Sequence, residues 1–565
     1  MWQRLTLYDA RVIGHYLGLL LIAFGVAMLV PFLTAVVMTE WQVASRYFLG
    51  VGVAVFVGSA LRLLRIQPGK LDRQQALIVT GLAWIVLAFV ATVPLYLSGH
   101  YMTYMDCLFD CVSGLTTTGV SIIVDLDHLS TADNMFRFVM HLIGGLGLIV
   151  VALSLGLFGK GAGASLYTSE ARSEHVVPNV VDTAKLLARI TFFVVIIASI
   201  LIFVFCWVMG MDPARAGFHA LWLSITGFVT GGFAPMSQSV AYYHSFPLEI
   251  VLMLLMTMGA VNFAVYAEVR RGQLKEFTKD LEIRTTVIWL IVIVIVITAS
   301  LATMGIFDDA FALIRRGLFM VIAAFTTTGL QNITSDQLVT VFSSGAFFTL
   351  ALVMAVGGGV GSTSGGIKLN RIGIIFKSAV ADIKQAVSPD TARVSVSYNR
   401  IGRRVLTSEV AKEAMTIFVL YCATYFIGAL VGVAYGHDAV SALFESIAMT
   451  SNGGLVTGNI VSPGMDVGLE TFYILLMWAG RLEFLTFAAL IVKIIVSFKP
   501  RPGKRAIEKR HAAFKEEMSK MMGEPSTEEA NEPTAVVSEN GKPGVMTVQK
   551  VKRGAKDVRF INLRK

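Results

Sequence analysis

A chain of 565 residues that is 55% hydrophobic and only 15% charged, with a mean hydropathy of +0.69, is too apolar to be a string of soluble domains and reads as an integral membrane protein. Its net charge of +9 does not point to nucleic acid, because the basic residues gather in alternate loops between apolar runs. The four cysteines, Cys107, Cys111, Cys206 and Cys422, lack metal-ligand spacing; Cys107 and Cys111 can in principle pair, but free buried thiols fit better.

Apolar runs of the ~20 residues that span a bilayer core are expected near 14–38, 43–64, 76–98, 134–158, 187–210, 245–268, 284–306, 341–379, 410–435 and 468–498. The first is long and has no small-residue cleavage site, so it is expected to stay as a helix. Residues 1–70 read as an N-terminal transmembrane hairpin. One unit then recurs over 71–160, 161–270, 271–400 and 401–500: membrane helix, short re-entrant helix, a strip ending in glycine, membrane helix. Residues 501–565 are charged, with scattered Pro and Gly, and read as a largely disordered cytoplasmic tail with room for one helix over 505–522. The fold class expected is an all-α membrane protein, a helical hairpin plus four helix/re-entrant-loop/helix units in pseudo-fourfold arrangement around one pore.

The strips are Thr117-Thr118-Gly119, Thr230-Gly231-Gly232, Thr327-Thr328-Gly329 and Asn452-Gly453-Gly454. They lie about a hundred residues apart, a spacing of helical hairpins and not of a solenoid. Each follows a short semi-polar run that opens near an acid: Asp106, Asp212, Asp309 and Asp438. Asp at a helix start satisfies free amides, and Pro213 suits a first turn. Glycine tolerates φ > 0, so successive carbonyl oxygens can line a narrow path, and rings of carbonyls replace the water around a cation. One Thr-Thr-Gly alone is more simply a small-residue helix contact; four copies at one place in four units favour the pore. A short helix aiming its C-terminus at the strip adds the negative end of its dipole.

The third unit's second apolar run, 341 to about 379, would be about 58 Å long as one helix, nearly twice a bilayer core. It is expected to break at Gly357-Gly358-Gly359-Val360-Gly361-Ser362-Thr363-Ser364-Gly365-Gly366, too glycine-rich to hold a helix. The stretch fits neither a Walker nor a dinucleotide pattern, and reads as a mobile loop under the filter, where it obstructs the path. In the fourth unit Gly480-Arg481-Leu482-Glu483 puts a charge inside an apolar run, where it must face the bundle interior or a water-filled cavity. Arg481 is either neutralised by Glu483 or another carboxylate, or it stands as a fixed positive charge below the filter. A polar link from Ser362, Thr363 or Ser364 to Arg481 is expected if loop and arginine act together. His141 and His219 read as core residues. Positive-inside bias puts both termini in the cytoplasm and the strips in the outer half. Arg270, Arg271, Lys377, Lys384, Arg403 and Arg404 then form a basic cytoplasmic surface for acidic lipid or a docking partner.

The stretches SGLTTTGVS at 113–121, HLIGGLG at 141–147, SITGFVTGGF at 224–233, AFTTTGL at 324–330, GGGVGSTSGGIK at 357–368, FESIAMTSNGGL at 444–455 and GRLEF at 480–484 resemble the Trk/Ktr/HKT superfamily of potassium uptake proteins, in its bacterial TrkH branch. The resemblance implies potassium as substrate, no cofactor in this chain and no enzymatic activity. It also implies a homodimer with one pore per subunit in the bacterial cytoplasmic (inner) membrane, and a cytoplasmic ring of NAD- or ATP-binding, TrkA-like regulatory subunits. Gly119, Gly232, Gly329 and Gly454 become the filter glycines, 357–366 the gating loop and Arg481 the pore arginine. Thr230 and Asn452 depart from the usual pattern, which makes strict potassium selectivity less secure than potassium permeability. The competing readings are a sodium-permeable or proton-coupled relative and, from another class, the ion-translocating subunit of an ATP-driven pump.

Overall fold

The apolar runs become helices whose lengths sort by position in the repeated unit. The computed structural model describes residues 5–64, 66, 71–147, 180–263, 266, 280–302, 310–341, 344–389, 395–400, 403–498, 551–553 and 556–558. The N-terminal part is α1 (Leu7–Ala27), α2 (Leu29–Val37) and α3 (Trp41–Arg62). Thr6 starts α1 with a reciprocal cap to Asp9, satisfying amides that a helix start leaves free. Helices α1 and α3 cross on glycine: a Cβ on Gly18 would lie 2.5 Å from the Gly58 oxygen, the close backbone approach that small residues permit in lipid.

Four stretches with one element order follow. The first holds α4 (Arg73–Tyr96), α5 (Tyr104–Thr116) and α6 (Thr131–Leu146); the second α7 (Val180–Val208), α8 (Pro213–Phe228) and α9 (Phe246–Ala260). The third holds α10 (Leu281–Ala302), α11 (Ala310–Phe325), α12 (Ser335–Val341), α13 (Ser344–Ala355) and α14 (Leu369–Val387). After an antiparallel pair, β1 (Ser397–Asn399) with β2 (Arg403–Val405), the fourth holds α15 (Ser408–Ala434), α16 (Ala439–Thr450), α17 (Val467–Arg481) and α18 (Leu485–Phe498).

Among the described residues, six stretches are long and apolar enough to cross a membrane: Leu7–Val37, Trp41–Arg62, Gln74–Tyr96, Asp182–Val208, Leu281–Ser300 and Ser408–Ala434. They are the N-terminal pair and the first helix of each unit. The chain is thus a mostly helical, multi-pass membrane protein. Its first helices turn aliphatic and aromatic side chains outward, with Ile197 and Ile200 on α7, Ile288 and Ile295 on α10, and Phe426 and Leu430 on α15 all exposed. The short helices are the reverse: on α5 every residue from Asp106 to Thr116 is buried, as expected of a helix enclosed on all sides.

The second helices correct the expected spans. Only the third was expected to break, yet α6, α9, α13 and α17 all stop early, at Leu146, Ala260, Ala355 and Arg481. The fourth run is not continuous over 468–498: Glu483 and Phe484 take φ of 54° and 52° between α17 and α18. The capping roles are corrected too. Asp212 and Asp438 do cap α8 and α16 through the amides that follow them. On α5, however, Thr103 is the cap and Asp106 reaches back to it from the third helical position; Asp309 lies outside the described residues. All four cysteines are free, Cys107 and Cys111 buried.

The N-terminal hairpin is fastened to the first unit at one end of α6. Glu40 accepts the amides of Thr131 (2.9 Å) and Ala132 (3.1 Å), and buried Asp133 accepts from Arg46 (3.0 Å) and Tyr47 (2.8 Å). Contacts divide the chain into Met1–Ser497 and Phe498–Lys565. In the second part β3 (Val551–Arg553) pairs antiparallel with β4 (Lys556–Val558); the helix expected over 505–522 lies outside the described residues.

Candidate functional site

Each short helix ends in the same way. The residues after the last turn, Thr117, Thr230, Thr327 and Asn452, are left-handed, with φ of 58°, 51°, 51° and 54°. The next amide then bonds back five residues: Thr118 to Ser113 (2.9 Å), Gly231 to Thr226 (2.8 Å), Thr328 to Ala323 (2.9 Å) and Gly453 to Ala448 (2.8 Å). This is the Schellman termination, whose left-handed position normally belongs to glycine. A β-branched threonine there costs on the order of 1–2 kcal/mol, so the side chain must be needed. One residue later the backbone turns left-handed again at Gly119, Gly232, Gly329 and Gly454, with φ of 81°, 89°, 81° and 68°. Sequence reasoning placed positive φ on these glycines and missed it on the residues two before.

The four strips meet. A Cβ on Gly119 would lie 2.2 Å from the Gly231 oxygen; on Gly232, 2.3 Å from the Thr328 oxygen; on Gly329, 2.9 Å from the Gly453 oxygen; on Gly454, 2.3 Å from the Thr118 oxygen. The contacts run first to second, second to third, third to fourth and fourth to first. At each glycine a side chain would strike a neighbouring strip's carbonyl. The middle residues alternate in chemistry. Thr118 and Thr328 share hydroxyl bonds with Thr116 (2.8 Å) and Thr326 (2.7 Å). Gly231 and Gly453 instead leave room for neighbours from the preceding unit, His141 and Met354, which a Cβ would meet at 2.3 and 2.4 Å. His141 is a core residue stacked on Phe233, as expected.

A second set of glycines sits behind the first. A Cβ on Gly144, Gly259 or Gly480 would lie 2.2, 2.0 or 2.0 Å from the oxygen of Leu115, Phe228 or Thr450, at the end of a short helix. Gly357 holds the corresponding place in the third unit, where the contact at 2.0 Å is to Gly365 of its own loop and Thr327 Cγ2 lies 3.2 Å away. These glycines let each second helix close on a strip, and each second helix stops next to one. Their signal in the sequence was a glycine near the middle of every second apolar run.

The glycine loop hangs from the left-handed threonines. Thr230 Oγ1 donates to Thr363 Oγ1 (3.0 Å), Thr363 Oγ1 donates to the Gly259 carbonyl (3.0 Å), and the Gly365 amide donates to Thr327 Oγ1 (2.7 Å). Gly358 and Gly359 pack on Ala260 and Glu282, Gly361 and Gly366 take φ of 72° and 68°, and Ser362 and Ser364 share a hydroxyl bond of 2.8 Å. Lys368 is buried with its ammonium on the carbonyls of Ser364 and Gly365.

Arg481 closes this layer. Its Nη1 donates to Thr117 Oγ1 (3.2 Å) and to the Thr363 carbonyl (3.3 Å), and its Nη2 to the Gly144 carbonyl. The expected link between loop and arginine is therefore present, at the Thr363 carbonyl and not at a hydroxyl. Glu483 forms its ion pair with Arg371. Asn452 spans the first and fourth strips, donating to Thr118 Oγ1 (2.9 Å) and the Met477 carbonyl (3.0 Å). A cavity of about 50 Å³ opens here, lined by Ser362, Ser364, Lys368, Asn452, Arg481 and Glu483 among others.

Membrane-length helices surrounding buried, left-handed glycine strips define a polytopic helical membrane protein with an internal carbonyl-rich site. Residues 44–499 match the family model of TrkH, cation transport protein, and the chain belongs to that family. It is 29% identical over 492 residues to an uncharacterised cation transporter of Methanocaldococcus jannaschii, covering 87% of this chain and 97% of that one. It is also 29% identical over 497 residues to the Trk system potassium uptake protein TrkH of Escherichia coli strain K12, covering 85% and 98%. The crystal structure of the potassium transporter TrkH from Vibrio parahaemolyticus superposes with a TM-score of 0.73 at 25% identity, over 85% of this chain and 98% of the other.

Proposed function

We propose that this chain is a gated potassium uptake pore. Its four units surround one axis in a pseudo-fourfold arrangement, with Thr117-Thr118-Gly119, Thr230-Gly231-Gly232, Thr327-Thr328-Gly329 and Asn452-Gly453-Gly454 as the selectivity filter. The observation that carries the reading is the closed cycle of contacts among four left-handed glycines, each seated against a neighbour's carbonyl. Such a cycle turns backbone oxygens on a common centre, where they replace a cation's hydration shell, with the negative ends of α5, α8, α11 and α16 behind them. Loop 357–366 and Arg481 are the gate. Docked as they are, they occupy the side chains of Thr117, Thr230 and Thr327, and Arg481 places a positive charge beside the path. The named relatives that take up potassium support that ion as substrate. The protein is proposed to work as a homodimer in the cytoplasmic membrane with both termini inside, regulated by a soluble nucleotide-binding subunit docked on basic residues such as the exposed Arg403 and Arg404.

The test is Gly119→Ser in the full-length protein reconstituted in liposomes. The added Cβ would lie 2.2 Å from the Gly231 oxygen on a backbone at φ 81°, so it distorts two strips at once. Uptake of sodium relative to potassium rises. An unchanged ratio in a folded variant rejects Gly119 as a filter residue.

A further inference from the structure

Behind the first two strips lies a buried ion pair that plays no part in the gate. Asp110 on α5 is fully buried. It accepts from Tyr101 Oη (3.0 Å) and from Ser121 Oγ (2.8 Å). Ser121 follows Gly119 by two residues, and on the same helix Ser113 Oγ donates to the Val120 carbonyl at 2.6 Å. Asp110 and Ser113 together hold the limb by which the chain leaves the first strip.

Arg137 on α6 is just as buried, and its Nε lies 3.9 Å from Asp110. Its Nη1 donates to Asn134 Oδ1 (3.1 Å) and, across the boundary between units, to the Ala234 carbonyl (3.2 Å). Ala234 belongs to the limb by which the chain leaves the second strip. The guanidinium also lies 4.1 Å from the centroid of the Phe233 ring. That ring stacks on His141 at 4.2 Å, and His141 fills the space beside Gly231. A single ion pair therefore touches the outgoing limbs of two adjacent strips.

At the matching positions, all of them described, the other units carry no such pair. In the fourth, Glu445 takes the matching turn of α16 and holds Thr457 through its amide and hydroxyl, both at 2.7 Å, but Tyr473 stands on α17 where Arg137 stands on α6. The second and third units have Leu223 and Met320 at that turn. Burying two charges stabilises a fold less than well-packed apolar residues of similar volume would, so stability alone does not account for the pair.

We propose that Asp110 and Arg137 form a specificity-determining brace, which fixes the spacing of the first and second strips and hence the cation that fits, without touching the ion. They are positioning residues acting through Ser121 and Ala234. The inference rests on the filter reading above.

The experiment measures uptake of sodium against potassium by the full-length protein in liposomes for Asp110→Asn, Arg137→Gln, Arg137→Lys, Ser121→Ala and, as reference, Gly119→Ser. Asp110→Asn and Arg137→Gln are expected to raise the sodium-to-potassium ratio about 10-fold while potassium uptake persists, on the scale of discrimination set by fit alone. The double variant goes no further than either single one, because the two share one contact. Ser121→Ala removes one neutral bond and leaves the charges paired, so it gives a smaller rise in a protein that folds; Arg137→Lys, which loses the reach to Ala234, does the same. If Asp110→Asn and Arg137→Gln do not fold, these two milder variants decide. A wild-type ratio in every folded brace variant, with Gly119→Ser shifted, leaves the filter reading intact and overturns the brace. A wild-type ratio in Gly119→Ser instead removes the filter reading and the brace with it.

Discussion

Arg481 on α17 donates to the Thr363 carbonyl at 3.3 Å, joining the last unit's second helix to the glycine loop of the unit before it. The same guanidinium holds Thr117 Oγ1 and the Gly144 carbonyl of the first unit. Loop, arginine and the left-handed threonines of the first three strips thus form one hydrogen-bonded layer. Moving any one of them breaks bonds to the others.

Arg481→Ala removes both the link and the charge. At ~7 Å and an effective dielectric of ~20 the repulsion of a cation is on the order of 2 kcal/mol, so relief of about 1–2 kcal/mol of barrier raises potassium flux about 5- to 30-fold. Shortening loop 357–366 breaks the same layer and, on the proposed gate, the two changes together fall short of the product of their separate effects. Flux into liposomes from single and double variants measures this. A fall in flux for a folded Arg481→Ala protein would assign the residue to scaffolding.

Gly480→Ala tests the second set of glycines. The methyl would lie 2.0 Å from the Thr450 carbonyl oxygen, a backbone atom with no rotamer to escape into, and overpacking of this kind costs about 1–3 kcal/mol. Gly217→Ala is the control, since nothing lies within 4 Å of its added Cβ. Thermal unfolding in detergent is expected to show a lowered Tm for Gly480→Ala and none of that loss for Gly217→Ala. Equal Tm values would mean that α17 can withdraw without penalty.

The second and third units are tied by Glu249 and Arg315, with Arg315 Nε and Nη2 donating to the carboxylate at 2.9 and 2.6 Å and Glu249 only 3% exposed. Arg315→Met leaves a buried carboxylate without its cation, at a cost of about 3–5 kcal/mol. Adding Glu249→Gln returns most of that stability. A double variant no more stable than Arg315→Met would show that the pair contributes nothing through charge.

Asp133 carries the corresponding tie to the N-terminal hairpin, accepting from both Arg46 and Tyr47. Asp133→Ala is expected to lower the Tm more than Tyr47→Phe, which removes one hydrogen bond worth about 1 kcal/mol. The reverse order would place the strength of the attachment in the packing of α1 and α3.

Some of this site was readable in the residues themselves. Four glycines flagged left-handed backbone because that freedom belongs to a single residue type, and they do take positive φ. The run 341–379 was too long for one helix and named its own break in 357–366. Arg481 declared itself by standing in an apolar segment. Each is a local property of the chain, independent of what packs against it.

The rest depended on neighbours. Threonine disfavours left-handed backbone, so nothing in Thr117, Thr230 or Thr327 announced it; the conformation is held where hydroxyls meet Arg481, Thr363 and the Gly365 amide, all distant in sequence. Gly144, Gly259 and Gly480 looked like ordinary small residues until the ends of three short helices closed on them. Glu483 and Arg481 are two apart, and the ion pair nonetheless went to Arg371, because positive φ at Glu483 and Phe484 redirects the chain between α17 and α18. Sequence determined the membrane-spanning class, the repeated order and the left-handed glycines of the four strips, since burial in lipid and left-handed backbone are written residue by residue. Only the tertiary structure decided which carbonyl, hydroxyl or carboxylate each of them meets, because hydrogen bonds and ion pairs act over a few ångströms and join whatever the packing of the units brings within reach.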